Sequence, residues 1–161
     1  MKTTASTISK LFQSIITVCI LTAFGISQNI FSVEQETWYK DADGLDLNSL
    51  HLLGKNEDKS LIAYLRLVEP KLNFIEPSLG RVSVEEKFRG NGLGRKLIKE
   101  GIRKSLIIYP NLDLGISAQL YLEKFYNQEG FRRVGNTYEE DGITHIKMVL
   151  EKTMRQLMTF W

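Results

Sequence analysis

Residues 82–102 read VSVEEKFRGNGLGRKLIKEGI, and the fold turns on them. Valines at 82 and 84 alternate with polar residues as a strand requires. Gly90, Gly92 and Gly94 then alternate in turn. From Leu93 the apolar residues Leu97, Ile98, Ile102 and Leu106 recur at helical spacing until Pro110 closes the segment. The order is strand, glycine loop, helix. Glycines at such a junction let successive N–H groups converge on an anion, and the helix N-terminus adds unpaired donors and about half a positive charge. Arg89 leads into the loop and Arg95 and Lys96 follow it. This combination suits a pyrophosphate; a bare glycine-rich turn is the other reading of the fragment alone. Neither the Walker pattern nor the dinucleotide fingerprint fits, because the first needs Gly-Lys-Ser/Thr and the second G-x-G-x-x-G. What stands is R-x-x-G-x-G, at Arg89, Gly92 and Gly94.

The flanking sequence alternates strand and helix signals. SLIAYLRLV (60–68) and SLGRVSV (78–84) predict strands, with a hairpin entering the first of them from HLLG (51–54). LDLGIS (112–117) predicts a short buried strand, and AQLYLEKFYNQ (118–128) a helix with Gly130 at its C-cap position. FRRVG and ITHIKMVLE predict two further strands joined through NTYEEDG as an acidic turn. Strand, helix, strand, helix after Ser78 implies a βαβ unit with a parallel pair. In the C-terminal MRQLMTFW, Met154, Leu157, Met158 and Trp161 share one helical face, which predicts packing on the domain or on a second subunit.

Composition narrows the function. A chain of 161 residues holds one full domain. Its 21 basic and 19 acidic residues leave a net charge of only +2, so no global field recruits nucleic acid. A lone Cys19 excludes an internal disulfide framework and a multi-cysteine zinc site, and His51 and His145 lack metalloprotease spacing; no metal is expected. The N-terminus has two readings. From Leu11 to Val33 there is no charged residue, and 11 of the 16 residues from Leu11 to Ile26 are apolar. With Lys2 and Lys10 before it and Ala23-Phe24-Gly25 within it, the run looks like a signal or anchor, close to the about 20 residues that span a bilayer. Leu11, Ile15, Cys19 and Ala23 instead recur every four residues, as in a buried helix.

The motifs resemble those of the GNAT superfamily of acetyl-CoA-dependent N-acetyltransferases. The family's R-x-x-G-x-G corresponds to RGNGLG, and its helix ending Tyr-x-x-x-Gly-Phe corresponds to YNQEGF, Tyr126 to Phe131. Residues 30–54, AQLYLEKFY (118–126) and YEEDGITHIKM (138–148) are similar to the ElaA-like branch, with Tyr121 where a His is common. The resemblance covers residues 30–150. It divides the chain into a divergent apolar segment (1–29), the acetyltransferase domain (30–150) and a tail (151–161).

The resemblance implies an α/β (α+β) fold: a mixed central sheet flanked by helices, with parallel strands splayed around Val84 and Gly115. Acetyl-CoA is the implied cosubstrate. Its pantetheine would pair with the backbone of Val82, Ser83 and Val84. Its pyrophosphate would sit on Arg89, Gly90, Asn91, Gly92, Leu93 and Gly94, with Arg95 and Lys96 adding attraction. The resemblance also places the Tyr126 hydroxyl near the cofactor sulfur as general acid. An acceptor amine, with a pKa of about 10, must lose a proton before it attacks, so a base is needed. Candidates are Glu34 and His145 first, then His51, Glu139, Glu140 and Asp141, which together suggest a negative pocket for a small-molecule or peptide amine. A CoA-binding domain without chemistry is the competing expectation. An exported acetyltransferase would lack its donor, so the expected location is cytoplasmic, with membrane contact only if residues 11–26 form an anchor.

Overall fold

A computed structural model describes residues 43–157. The readings for residues 1–29, including the apolar run 11–26, for Glu34, and for Met158 and Trp161 lie outside the described residues. Among the described residues, six strands form one sheet: β1 (Ser49–Lys55), β2 (Leu61–Val68), β3 (Ser78–Val84), β4 (Leu114–Gln119), β5 (Arg132–Glu140) and β6 (Ile143–Leu150). Their spatial order is β1-β2-β3-β4-β6-β5. The β3–β4 pair is parallel and its neighbours are antiparallel. The crossover between β3 and β4 is helix α1 (Leu93–Ile108), so the expected βαβ unit is present. Helices α2 (Glu123–Gln128) and α3 (Lys152–Leu157) follow β4 and β6. None of these helices is long and apolar enough to cross a membrane.

Burial explains the strand compositions. β2 is buried along almost its whole length, which is why LIAYLRLV reads as a near-continuous apolar run rather than an alternation. β5 is exposed throughout and carries Arg132, Arg133, Glu139 and Glu140, charges that protect a sheet edge from unwanted pairing. Helix α1 buries Leu97, Ile98, Gly101, Ile102 and Ser105. Gly101 lets the helix approach the sheet closely: a Cβ there would stand 2.9 Å from Leu65 Cδ1. Ile98, Phe131, Ile146 and Met148 are wholly enclosed and form the centre of the core.

Two local expectations need correction. The strand expected over 112–117 runs from Leu114 to Gln119, and the helix expected from Ala118 begins only at Glu123, after a 3-10 turn at Leu120–Leu122. Ala118 and Gln119 are taken by pairing with Ile146 and His145 of β6, so sheet pairing overrides local helix propensity. The acidic segment 136–142 is mostly strand. Only Asp141 and Gly142 turn, with φ of 52° and 76°, the left-handed pair of a tight hairpin. Of the apolar face expected to pack on the domain or on a second subunit, the described residues are Met154 and Leu157, and this chain does not itself cover them. Both are exposed, and Arg155 is fully buried instead. Its guanidinium donates to the carbonyls of Leu112 and Tyr109, in the turn that follows α1.

Candidate active site

Strands β3 and β4 pair at only two positions, Ser78 with Gly115 and Leu79 with Ile116, and then part. A β-bulge accounts for the separation. On β2, Ala63 and Tyr64 face Val84 and Ser83, while Arg66 faces Gly80. Leu65 therefore opposes Arg81 and Val82 together. Arg81 adopts a left-handed φ of 52°, as the first bulge residue does when it is usually glycine. A bulge bends its strand and increases local twist, turning the upper half of β3 away from β4. The opening is a cleft of about 530 Å³, walled on one side by Gly80 to Val84 and on the other by Ile116 to Gln119.

The β3 wall offers polar groups without strand partners. The Glu85 N–H is bonded to the Ile62 carbonyl at 2.9 Å. By antiparallel alternation the backbone groups of Val82 and Val84 face the other edge, into the cleft. Ser83 Oγ is buried there with no hydrogen-bond partner among the described residues. Arg89 lines the end of the cleft and donates from Nε to the Val84 carbonyl at 2.8 Å. The glycine loop follows directly. Gly90 and Gly92 have φ of 79° and 74°, and a Cβ on either would meet nothing within 4 Å. Gly92 caps α1, and the Lys96 N–H is the first to bond back to it, at 3.1 Å. The N–H groups of Leu93, Gly94 and Arg95 thus lie in the helix turn that has no internal acceptors. Asn91 and Lys96 are exposed beside the loop. Arg95 is engaged elsewhere: its guanidinium pairs with Glu129 and donates to Gln128 Oε1 at 2.7 Å. An anion cradle and a set of open strand amides therefore adjoin, as an extended phosphate-bearing ligand would need.

The opposite wall holds the titratable groups. Tyr126, from α2, is 4% exposed and packs edge-on against Phe125 and Phe131. Burial, with a smaller contribution from Tyr121, pushes its phenol well above the ordinary tyrosine range. Its hydroxyl makes no hydrogen bond among the described residues. His145, on β6, also lines the cleft. Its Nδ1 lies 2.8 Å from the Ile143 carbonyl, an acceptor only, so Nδ1 carries a proton and, in the neutral ring, Nε2 is the nitrogen with the lone pair. Its ring stacks on Tyr138 with centroids 6.1 Å apart. Glu140 lines the same wall and accepts from Ser117 Oγ at 2.8 Å. Ser117 has one proton to give, so the Tyr138 hydroxyl, 2.5 Å away, donates to it. Burial raises the Tyr138 phenol as well; the Ser117 bond opposes the shift and the Glu140 charge adds to it.

The structure therefore brings Tyr126, His145 and Glu140 to one cleft with Val82, Ser83, Val84 and Arg89. It does not bring the other candidates there. His51 lies on β1, its Nε2 2.9 Å from the Asp46 carbonyl and its Nδ1 2.7 Å from the Tyr64 hydroxyl, bonds that brace a turn. Glu139 accepts from Thr144 at 2.7 Å on the exposed hairpin, and Asp141 forms its tip. Among the described residues no group of His, Cys, Asp or Glu gathers that could hold a metal ion.

Sequence reasoning missed an ion cluster on the β2 side of the cleft. Arg66 is 3% exposed and donates to Asp43 at 2.9 and 2.5 Å and to Asp46 at 2.7 Å. Arg81 reaches Asp43 at 3.1 Å. Burial works against the Asp43 charge, but hydrogen bonds from Arg66 and the Leu45 N–H, with the two guanidinium charges, hold its carboxyl below the usual range. The signal was present: a single charge in the middle of an apolar strand demands a partner.

Comparison with known proteins agrees with this geometry. The Acetyltransferase (GNAT) domain family matches residues 27–152. A UPF0039 protein of Synechocystis is 50% identical over 124 residues, which cover 77% of this chain and 80% of that protein. The crystal structure of an acyl-CoA N-acyltransferase from Pseudomonas aeruginosa superposes with a TM-score of 0.76 at 32% identity, covering 81% of this chain and 88% of that one. Escherichia coli ElaA gives a TM-score of 0.74 at 34% identity, with the same coverage of 81% and 88%. The chain belongs to the GNAT acetyltransferase family, among the homologues of ElaA.

Proposed function

We propose that the protein transfers an acetyl group from acetyl-CoA to a primary amine by direct attack. The observation that carries this reading is the fork: an edge of β3 at Val82 and Val84 that has no strand partner among the described residues leads from an anion cradle to a wall bearing the Tyr126 phenol and the His145 imidazole. The edge suits the amides of pantetheine, and the loop Arg89 to Gly94 suits its pyrophosphate. Glu140 holds the ammonium group of the acceptor at the mouth of the cleft, and His145 Nε2 takes one proton from it, passes that proton to solvent, and takes the second from the nitrogen once it has attacked the thioester carbon. The Val84 N–H donates to the thioester oxygen as charge develops on it, a contribution typically worth about 3–4 kcal/mol per donor. Tyr126 donates to the sulfur as the C–S bond breaks, and is reprotonated from solvent. One acetamide, one thiol and one released proton balance the reaction. The Pseudomonas relative, described as an acyl-CoA N-acyltransferase, supports the same class of chemistry.

The test is thiol release from acetyl-CoA against a panel of amines, polyamines and peptides, with the acetylated product identified by mass. Acceptor-dependent release is expected. Tight acetyl-CoA binding with no release for any amine would leave a CoA-binding domain and overturn the catalytic reading.

A further inference from the structure

We propose that Arg95 is a positioning residue that ties the anion cradle to Tyr126, rather than a ligand of the phosphates. Arg95 stands in the first turn of α1, where a cation opposes the helix dipole and calls for an anionic partner. The fold supplies one. Glu129 is 1% exposed, pairs with Arg95, and has no other cation within ion-pairing distance among the described residues. The guanidinium also donates to Gln128 at 2.7 Å and lies over the Phe125 ring, 5.6 Å from its centroid. One planar fork thus grips three residues of the segment that carries Tyr126.

That segment transmits the grip to the phenol. The N–H groups of Glu129 and Phe131 both bond to the Tyr126 carbonyl, at 3.0 and 3.1 Å. Phe125, under the guanidinium, is the ring packed edge-on against Tyr126 at 5.0 Å. Movement of the first turn of α1 therefore reaches Tyr126 through Glu129 on one side and Phe125 on the other. A buried carboxylate that loses its cation is strongly disfavoured, so the link is not easily exchanged for a phosphate contact.

This inference rests on the acetyl-transfer reading for its kinetic arm only. The experiment is a double-mutant cycle of Arg95→Gln and Glu129→Gln in the full chain. Three quantities are read: kcat, the dissociation constant of coenzyme A by calorimetry, and the fluorine NMR line of Tyr126 in 3-fluorotyrosine-labelled protein, assigned through Tyr126→Phe. Each single variant is expected to lower kcat about tenfold, the double variant no further, and coenzyme A affinity to stay within about threefold. The Tyr126 line should shift or broaden in both. Additive losses would overturn the proposal. So would tighter coenzyme A binding in Glu129→Gln with weaker binding in Arg95→Gln, which would make Arg95 a phosphate ligand. Should the wild type release no thiol with any amine, the acetyl-transfer reading fails alone; the fluorine line then decides, and an unchanged line in both variants overturns the link.

Discussion

Tyr126→Phe isolates one atom of the site. The phenyl ring keeps the edge contacts at 5.0 and 5.9 Å with Phe125 and Phe131, and the position is 4% exposed. Because the hydroxyl has no hydrogen-bond partner among the described residues, its removal breaks no bond to them. An unpaired buried hydroxyl costs about 1–3 kcal/mol, less where water reaches it, so the variant should match the parent or gain up to about 1 kcal/mol. In a domain of this size that is a rise of at most about 4 °C in Tm. A general acid contributes about 10²–10⁴-fold to rate, and the upward shift of this phenol makes it a reluctant proton donor, so the loss in kcat should sit near a hundredfold. Thiol release measures kcat, calorimetry measures acetyl-CoA affinity, and a thermal scan measures stability. A kcat within about threefold of the parent, far below the acid-catalysis range, refutes the leaving-group role. The same variant carries a pH signature. With the phenol raised in the folded state, the unfolded chain ionises first, near pH about 10. Stability from this group is therefore intact below that pH and declines as pH climbs beyond it, and Tyr126→Phe should flatten that decline.

Gly92→Ala meets no steric obstacle but places a Cβ at φ 74°, so it should cost about 1–2 kcal/mol of stability and, by disturbing the cradle, reduce the Tm rise given by acetyl-CoA; an undiminished rise would remove this loop from the binding site. His145→Asn should lower kcat by about 10²–10⁴-fold with acetyl-CoA affinity unchanged, and full activity would exclude the imidazole as base. Asp43→Asn leaves Arg66 with Asp46 as its remaining carboxylate and should destabilise the fold by roughly 1–3 kcal/mol at neutral pH. Because the Asp43 carboxyl is depressed in the folded state, its stabilisation is present above the unfolded value of about 4 and disappears as pH falls through the folded one; urea titrations of parent and variant should converge at low pH, and a constant gap would contradict the assignment.

The glycine loop between strand and helix was legible in the sequence because backbone demands special residues. A left-handed Gly92 and a side-chain-free approach to a helix start leave a signature in residue type. The core was legible for a similar reason, since periodicity records burial. On the opposite wall His145 and Glu140 were legible as candidates, but their partners were not, because that wall is assembled by strand register. Tyr138 meets His145 only when β5 pairs with β6, and Ser117 meets Glu140 only across the intervening β6. Register also explains the displaced start of α2. Ala118 and Gln119 have helical neighbours in sequence and strand neighbours in space, and the second kind prevailed. Arg81 left no signal at all, as nothing about an Arg marks it for the left-handed bulge position that glycine usually fills.

The two-residue β3–β4 pairing also has a mechanical meaning. The sheet is two antiparallel leaves, β1-β2-β3 and β4-β6-β5, sharing a spine far shorter than the seams within either leaf. The β1–β2, β2–β3 and β5–β6 seams can zip from strands that are neighbours in sequence, whereas the spine forms only after α1 has folded back and the β4–β6 seam only after β5 has been passed, so these two carry the larger loop-closure cost. Torsion of one leaf against the other concentrates at the spine, and α1, packed through Gly101 against Leu65 and Leu79, acts as the splint. A ligand laid along the open edge would lengthen the seam from within, slowing amide exchange in both leaves at once, including strands it never touches.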